Sequence, residues 1–458
     1  MIRKKKAFAI KVVKFGGSSL ADARQVRKVF EIVRADPERR IVVVSAPGKR
    51  SPEDMKVTDL LIALAEAQLA GAPTAAALDR VVERYREIQR ALELPVAVTS
   101  DVENDLRRRL AGDTTHRGRF FDNLKAAGED NCARVVAAVF NKLGLPSHYV
   151  DPREAGLLLS DDFGNATVLP ESFDRLKLLR DTPDVAIFPG FFGYTVKGEV
   201  ATFPRGGSDI TGSILAAAVK ADLYENFTDV DSVYAVDPRI VPDARAISVI
   251  TYQEMRELAY AGFGVFHDEA ILPAVQAKIP ICIKNTNHPE APGTRIVPER
   301  PYASGVVVGI VGAEGFCTLY VSKYLMNREI GFGRRLLQIV EDEGLSYEHA
   351  PSGIDNTSVI LREQDVTPEI EARLCERVRD ELGANDVGFE HGLALLMIVG
   401  EGMRYTVGLS AKACTALAAA GVNIDMINQG SSEISVMFGI KATDRKRAIK
   451  ALYNAFFP

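Results

Sequence analysis

Two hydrophobic periods alternate through the first 300 positions. Continuous apolar runs of strand length occupy 7–15 and 41–45, and between them Val26, Val29, Phe30 and Val33 recur at the spacing of one helix face. Segments 58–70, 74–92, 100–110 and 129–143 read as helices, and 147–150, 184–188, 199–203, 223–227 and 279–284 as strands. Continuous apolar strands alternating with helices predict an α/β fold, a mostly parallel sheet covered on both faces as an αβα sandwich. The Asn- and Pro-rich stretch 285–293 and a second break at 298–304 place a boundary near residue 300.

Beyond that boundary the pattern repeats. Met326, Gly331, Gly344, Gly353 and Ser358-Val359 return as Met403, Gly408, Gly421, Gly430 and Ser435-Val436, each offset by 77 residues (403 − 326). The first unit reads strand 318–321, helix 331–343, strands 346–350 and 357–361, helix 368–382 and strand 386–390. The second reads 394–399, 406–420, 425–428, 434–440 and 444–456, and lacks a sixth element. A spare strand at 306–311 is expected to complete it, so that the first unit sits inside the second. The pattern is βαββαβ, a ferredoxin-like arrangement. The expected domains are 1–300 and 305–458, with one module at 316–390 inserted in another formed by 305–312 and 391–458.

Composition narrows the classes. The 458 residues are 47% hydrophobic and 26% charged with a formal net charge of −5, which describes a globular chain without the basic excess of a nucleic-acid binder. No apolar run approaches the ~18 residues of a membrane span. The basic start Arg3-Lys4-Lys5-Lys6 leads into a run broken by Lys11, too short for a signal sequence. Five scattered cysteines without C-x-x-C spacing, and six dispersed histidines, predict a reducing compartment and no zinc site. A cytoplasmic protein is the expectation.

Candidate chemistry lies at two glycine turns. Lys14-Phe-Gly16-Gly17-Ser18-Ser closes the first apolar run, and Arg205-Gly206-Gly207-Ser208-Asp209 opens an alanine-rich helix. Adjacent glycines let backbone N–H groups approach an anion, and a helix N-terminus adds positive potential. Each turn carries a cation, Lys14 or Arg205, which points to a site holding two anionic reactants together.

These two turns, followed by Thr228-Asp-Val-Asp-Ser-Val-Tyr-Ala-Val-Asp-Pro-Arg239, resemble the aspartate kinases, in their monofunctional form. The tail resembles that family's paired ACT modules, and the likeness covers essentially the whole chain. It implies an amino-acid-kinase fold, Mg²⁺ and ATP as co-reactants, L-aspartate as acceptor, and the first step of lysine, threonine and methionine biosynthesis. Phosphoryl transfer needs positioning and charge neutralisation more than covalent help, and an aspartate carboxylate is already ionised at neutral pH. The resemblance implies that Lys14 spans the transferred group, with Gly16, Gly17 and Ser18 as backbone donors. Arg205 would pair with the substrate α-carboxylate, assisted by Gly206, Gly207 and Ser208. Asp209 would orient Lys14 or engage Mg²⁺, or simply cap its helix. Glu129 matches an acidic contact to the substrate amine, though an acid in a first helical turn is favoured there anyway. Thr58 aligns with another substrate contact. Thr228, Asp229, Tyr234 and Arg239 match the nucleotide segment, as do Gly264 and Val265.

One departure stands out. Gly264 lies in Gly262-Phe-Gly-Val-Phe-His-Asp268, where many relatives have a nucleotide-contacting lysine. Lys284 is a candidate replacement. In lysine-sensitive relatives the effector sits near the first module's strand–helix turn, which maps to Met326, Gly331 and Phe332. Glu348 and Asp355 would offer carboxylates to a cationic side chain, or else be solvated loop charges. Lysine is the first effector choice and threonine the second. Segment 427–433 resembles the pairing segment of such enzymes, implying a homodimer or a dimer of dimers. The rival readings are a kinase for another small amino acid, and a catalytically silent amino-acid sensor.

Overall fold

A computed structural model describes residues 9–262, 268–301, 307–430 and 434–457. Gly264 and Val265 lie outside the described residues, as do residues 431–433 of the pairing segment. The chain forms two compact units. The first comprises residues up to Val233, Ala246–Tyr252 and the described part of Val265–Arg300. The second takes Tyr234–Arg245 and the described parts of Gln253–Gly264 and Pro301–Pro458.

Among the described residues, the first unit carries ten strands: β1 Lys11–Phe15, β2 Arg39–Val44, β3 Ser147–Tyr149, β4 Val185–Pro189, β5 Phe192–Tyr194, β6 Val200–Thr202, β7 Leu223–Thr228, β8 Val249–Thr251, β9 Ile281–Asn285 and β10 Thr294–Val297. Eight of them form one sheet in the order β3-β4-β2-β1-β7-β9-β10-β8, parallel throughout except between β9 and β10. Segment 199–203 does not join it; β5 and β6 form a separate antiparallel ribbon. The pleat of β1 sorts its side chains. Val13 and Phe15 point into a core shared with Val42, Val44 and Phe227 and with the helices Ala23–Arg34, Val57–Leu69, Ala75–Ala91, Ala97–Leu110 and Arg117–Lys142. Phe15 and Phe227 stack there at 4.9 Å. Side-chain alternation along a strand then sends Lys14 to the other face, where the helix Gly207–Ala218 packs on β1, β2 and β7.

Helix Arg117–Lys142 corrects an expected boundary. Glu129 does not begin a helix; it lies near the middle of a 26-residue one. Gly128, which suggests a break in the sequence, is instead a packing glycine. A Cβ there would stand 2.8 Å from the Ala46 Cβ and 3.2 Å from Leu61.

The second unit is built on a six-stranded antiparallel sheet of β11 Gly309–Ser322, β12 Tyr347–His349, β13 Asn356–Arg362, β14 Asp386–Val399, β15 Met426–Asn428 and β16 Ser435–Lys441, ordered β12-β13-β11-β14-β16-β15. The segments expected as four short strands are two long ones. β11 pairs with β13 over its second half only, and β14 with β16 over its second half only, while β11 and β14 pair along their length. The ladder between them shifts register at Glu314/Phe316 and Phe316/Thr318, beside Gly315 (φ +89°) and Gly392 (φ +70°). Positive φ at glycine is the signature of a bulge that lets a strand change direction without ending. Residues 234–245 join this unit through the Ile310 N–H, which donates to the Ala235 carbonyl at 2.7 Å, and the Arg245 N–H, which donates to the Tyr453 hydroxyl at 2.9 Å.

Candidate active site

The parallel strands β2, β1 and β7 end side by side, with Phe15 opposite both Val44 and Phe227. Ser45 and Gly16 therefore follow, and Thr228 closes, adjacent strand ends, the edge at which open α/β sheets bind ligands. One residue earlier, register sets Lys14 beside Asn226. Both side chains reach the first turn of helix Gly207–Ala218, where the Lys14 Nζ lies 2.6 Å from Asp209 Oδ1 and the Asn226 amide donates to the same oxygen at 2.6 Å. Lys14 is buried and Asp209 half-buried, so this cation has one fixed partner and little freedom.

A cavity of about 200 Å³ opens there, lined by Lys14, Ser45, Thr58, Glu129, Phe191 and the turn Gly206–Asp209. Gly206 has φ +83° and precedes the helix. Gly207 admits no side chain, since a Cβ would meet Phe191 at 2.6 Å and Phe203 at 2.9 Å. The Ser208 hydroxyl is buried against Gly190, where a Cβ would come within 2.6 Å of Oγ. Two lining residues escaped sequence reasoning. Ser45 follows β2, a position that any loop residue could fill. Phe191 holds φ +74°, rare for a bulky residue. Its N–H donates to Thr211 Oγ1 at 3.0 Å and its carbonyl accepts from the Phe203 N–H at 2.9 Å, which fixes the strained turn. The Pro189-Gly190 pair was the only local signal for it.

Glu129 is the electrostatic oddity. It is fully buried, its Oε2 has no hydrogen-bond partner among the described residues, and burial pushes its carboxyl up to about 8 against the opposing N–H of Ala46. An unpaired buried carboxylate is costly, and this one faces the cavity.

Other expected residues lie differently. Arg205 is exposed and does not line the cavity, although the four residues after it do. Gly16 sits against Lys14, its Cβ position 3.6 Å from Nζ. Gly17 packs on the loop after β2, and Ser18 is exposed. Thr228 ends β7 and Asp229 follows it, with Thr228 Oγ1 3.2 Å from Asp229 Oδ1. Lys284 stands opposite Phe227 on the neighbouring β9. Tyr234 and Arg239 belong to the second unit, where Arg239 is exposed and pairs with Asp237 at 2.8 Å. Among the effector candidates, Met326 and Phe332 are buried in the first module's core, and Gly331 (φ +78°) precedes the helix Phe332–Asp342. Both carboxylates have partners within the chain. Glu348 accepts from Arg362 Nε at 2.6 Å and from the Tyr260 hydroxyl, and Asp355 accepts from the Leu325 N–H at 2.8 Å. Among the described residues no helix is long and apolar enough to cross a membrane.

The comparisons agree with this geometry. Residues 9–285 match the amino acid kinase family and residues 396–456 an ACT domain. Aspartokinase 3 of Bacillus subtilis (strain 168) is 54% identical over 98% of this chain and 99% of its own length. The crystal structure of Clostridium acetobutylicum aspartate kinase superposes with a TM-score of 0.86 at 36% identity, covering 98% of this chain and all of that one. The structure of E. coli aspartokinase III in complex with lysine and aspartate, a T-state, gives 0.78 at 25% identity, again covering 98% and 100%. The chain belongs to the aspartokinases, as its glycine turns and tandem modules suggest.

Proposed function

We propose that this chain transfers the γ-phosphoryl group of ATP to the β-carboxylate of L-aspartate, giving 4-phospho-L-aspartate and ADP at the head of aspartate-derived amino-acid biosynthesis. The observation that carries this is a single cavity holding a fixed cation, Lys14, together with an unpaired buried carboxylate, Glu129. The carboxylate oxygen attacks the γ-phosphorus as the bond to the β–γ bridging oxygen breaks; no proton need be removed. Lys14 neutralises charge on the transferred group, where fixed cations contribute most. Asp209 and Asn226 hold its ammonium in place. Gly16, Gly17 and Ser18 supply backbone donors toward the nucleotide phosphates, with Thr228 and Asp229 nearby on the sheet edge. The N-terminus of helix Gly207–Ala218 and Ser208 receive the α-carboxylate, and Arg205 joins them by turning inward. Glu129 takes the α-ammonium, and Thr58 a further polar contact.

The donor set bears on Mg²⁺. No group of three or more acidic, His or Cys side chains among the described residues could hold a metal. Mg²⁺ commonly binds through one or two carboxylates plus substrate phosphates. The site therefore fits an ion that arrives with ATP, with Asp209 as the nearest carboxylate, and that ion would offset phosphate charge.

The regulatory reading extends the same proposal to the modules at 316–390 and at 305–312 with 391–458, following a kinase region at 1–300. Lysine is the effector, by likeness to the lysine-bound E. coli protein, and threonine the alternative. Homodimers form through the modules. Support comes from the sheet ending in short edge strands, β12 and β15, and from the exposed apolar residues Tyr324, Leu325, Ile330 and Ile354 around the first module's turn. A cytoplasmic location fits the five free cysteines. The test traps acyl phosphate as hydroxamate in the presence of Mg²⁺ and ATP, with L-aspartate against L-glutamate, then with lysine or threonine added. Aspartate-specific product suppressed by lysine is expected. Product from glutamate alone, or none from folded protein, would overturn the assignment.

A further inference from the structure

Arg84 lies outside the cavity, on helix Ala75–Ala91, and only 3% of its surface is exposed. A buried guanidinium is expected to be matched by carboxylates. This one directs its hydrogen bonds to main-chain carbonyls, beside a longer ion pair with Asp54. Nη2 donates to Gly48 at 2.6 Å and to Ala21 at 3.4 Å, and Nη1 donates to Met55 at 2.7 Å. Asp54 is the nearest carboxylate, at 3.4 Å, and is itself held by Arg50.

The three carbonyls belong to two segments that meet at backbone contact. Ala21 ends the turn that follows Gly17, whereas Gly48 and Met55 bracket the loop after β2. The Gly48 N–H donates to the Gly17 carbonyl at 2.8 Å. Neither glycine tolerates a side chain, since a Cβ on Gly48 would stand 2.6 Å from the Gly17 carbonyl carbon and one on Gly17 would stand 2.9 Å from the Ala46 oxygen. The loop so gripped begins at Ser45 and runs into Thr58, both cavity-lining, and its Ala46 N–H faces Glu129. One side of the contact therefore carries the glycine turn beside Lys14, and the other carries the wall that meets the amino-acid substrate.

The geometry points to Arg84 as a positioning residue that fixes the spacing between the phosphate-binding turn and the aspartate-binding wall. This rests on the cavity being the aspartate site as proposed above. Three donors in a rigid fork can pin three carbonyls, whereas lysine offers a flexible point charge that cannot span them. Misplacing reacting groups by about 1 Å costs on the order of 100-fold in rate. Loosening this grip should therefore lower kcat while leaving substrate affinities nearly intact.

The test compares Arg84→Lys with Arg39→Lys. Arg39 is also largely buried, but it pairs with Glu225 (2.7 and 3.0 Å) at the start of β2, away from the strand ends. Steady-state kcat and both KM values are measured with thermal midpoints for all proteins. The expected result for R84K is a kcat lower by at least about tenfold, KM values within about threefold of wild type, and R39K close to wild type in turnover. An R84K kcat within twofold of wild type, or equal kcat losses in R84K and R39K at equal thermal shifts, overturns the inference. Should R84K not accumulate as folded protein, Gly48→Ala opens the same contact from the other side, and unchanged kcat in G48A overturns it. Wild-type turnover with aspartate in the same assay separates failure of this inference from failure of the functional assignment.

Discussion

If the cavity beside Glu129 takes aspartate as proposed, its affinity should depend on pH in one direction. Burial raises the Glu129 carboxyl to about 8, and its Oε2 has no hydrogen-bond partner among the described residues. Under the proposed function the ionised form is the one that would receive the substrate ammonium. Between pH 6.5 and pH 8 the ionised fraction of a group with this pKa rises from about 3% to about 50%, so KM for aspartate should fall roughly 15-fold across that window. Binding should release close to one proton per site below pH 8, which appears as a buffer-dependent calorimetric enthalpy. The Glu129→Gln variant keeps the shape and removes the titration. Its KM should be flat over the same range. At pH 8 it should exceed the wild-type value by about 10- to 150-fold, the equivalent of a charge-assisted hydrogen bond of roughly 1.5–3 kcal/mol. Because ATP and the metal titrate identically for both proteins, the ratio of their KM values isolates Glu129. A wild-type KM that does not change from pH 6.5 to 8, or an E129Q profile parallel to it, would refute the reasoning.

The same shift acts on folding. A carboxyl raised above its unfolded value of 4.5 contributes stability that is complete below pH 4.5 and lost as pH climbs through about 8; unliganded E129Q should therefore lose less of its thermal midpoint than wild type between pH 5 and 9. Lys14→Ala should lower kcat by at least about 100-fold, as removal of a fixed charge at a transferring group does, while effector binding measured by calorimetry persists. Turnover near wild type would sink the assignment of Lys14. Gly128→Ala places a methyl 2.8 Å from the Ala46 Cβ; overpacking should cost about 1–3 kcal/mol in a denaturant titration, with KM for aspartate raised because the neighbouring Glu129 moves.

The candidate site was legible because its residues fall in short motifs. Two glycine turns with their cations mark Lys14 and the Gly206–Asp209 turn, and the structure gathers these in one cavity with Thr58 and Glu129. What stayed hidden was decided by tertiary packing. Gly128 reads as a helix break, since glycine lacks helix propensity, yet the close approach of Ala46 makes it the residue that lets a long helix pass. Ser45 and Phe191 carry no motif; they matter because the ends of β2 and β4 are adjacent in the sheet. The short strands β8 and β10, of three and four residues, are too brief to show a period in the sequence, and the pairing of β10 with β8 and with β9 is what makes them strands.

The repeat contains one more correspondence than the motif comparison recovered. The 77-residue offset also relates Gly315 to Gly392, both at positive φ. In a sequence scan these are unremarkable turn glycines, expected between separate strands. In the sheet they are the points at which β11 and β14 bulge and pass from one module to the other. A strand that serves both modules cannot shift register in one without straining the other, because a one-residue slip would turn its buried side chains outward. Both halves of β11 carry buried side chains, Ile310 and Val311 before the bulge and Cys317, Leu319 and Val321 after it. The modules are thus joined by two continuous strands rather than by linkers, and an effector that displaces either half of β11 or β14 acts on both. Inserting one residue beside Gly315 should accordingly disrupt both modules together, seen as loss of effector response with a single cooperative unfolding transition at lower temperature.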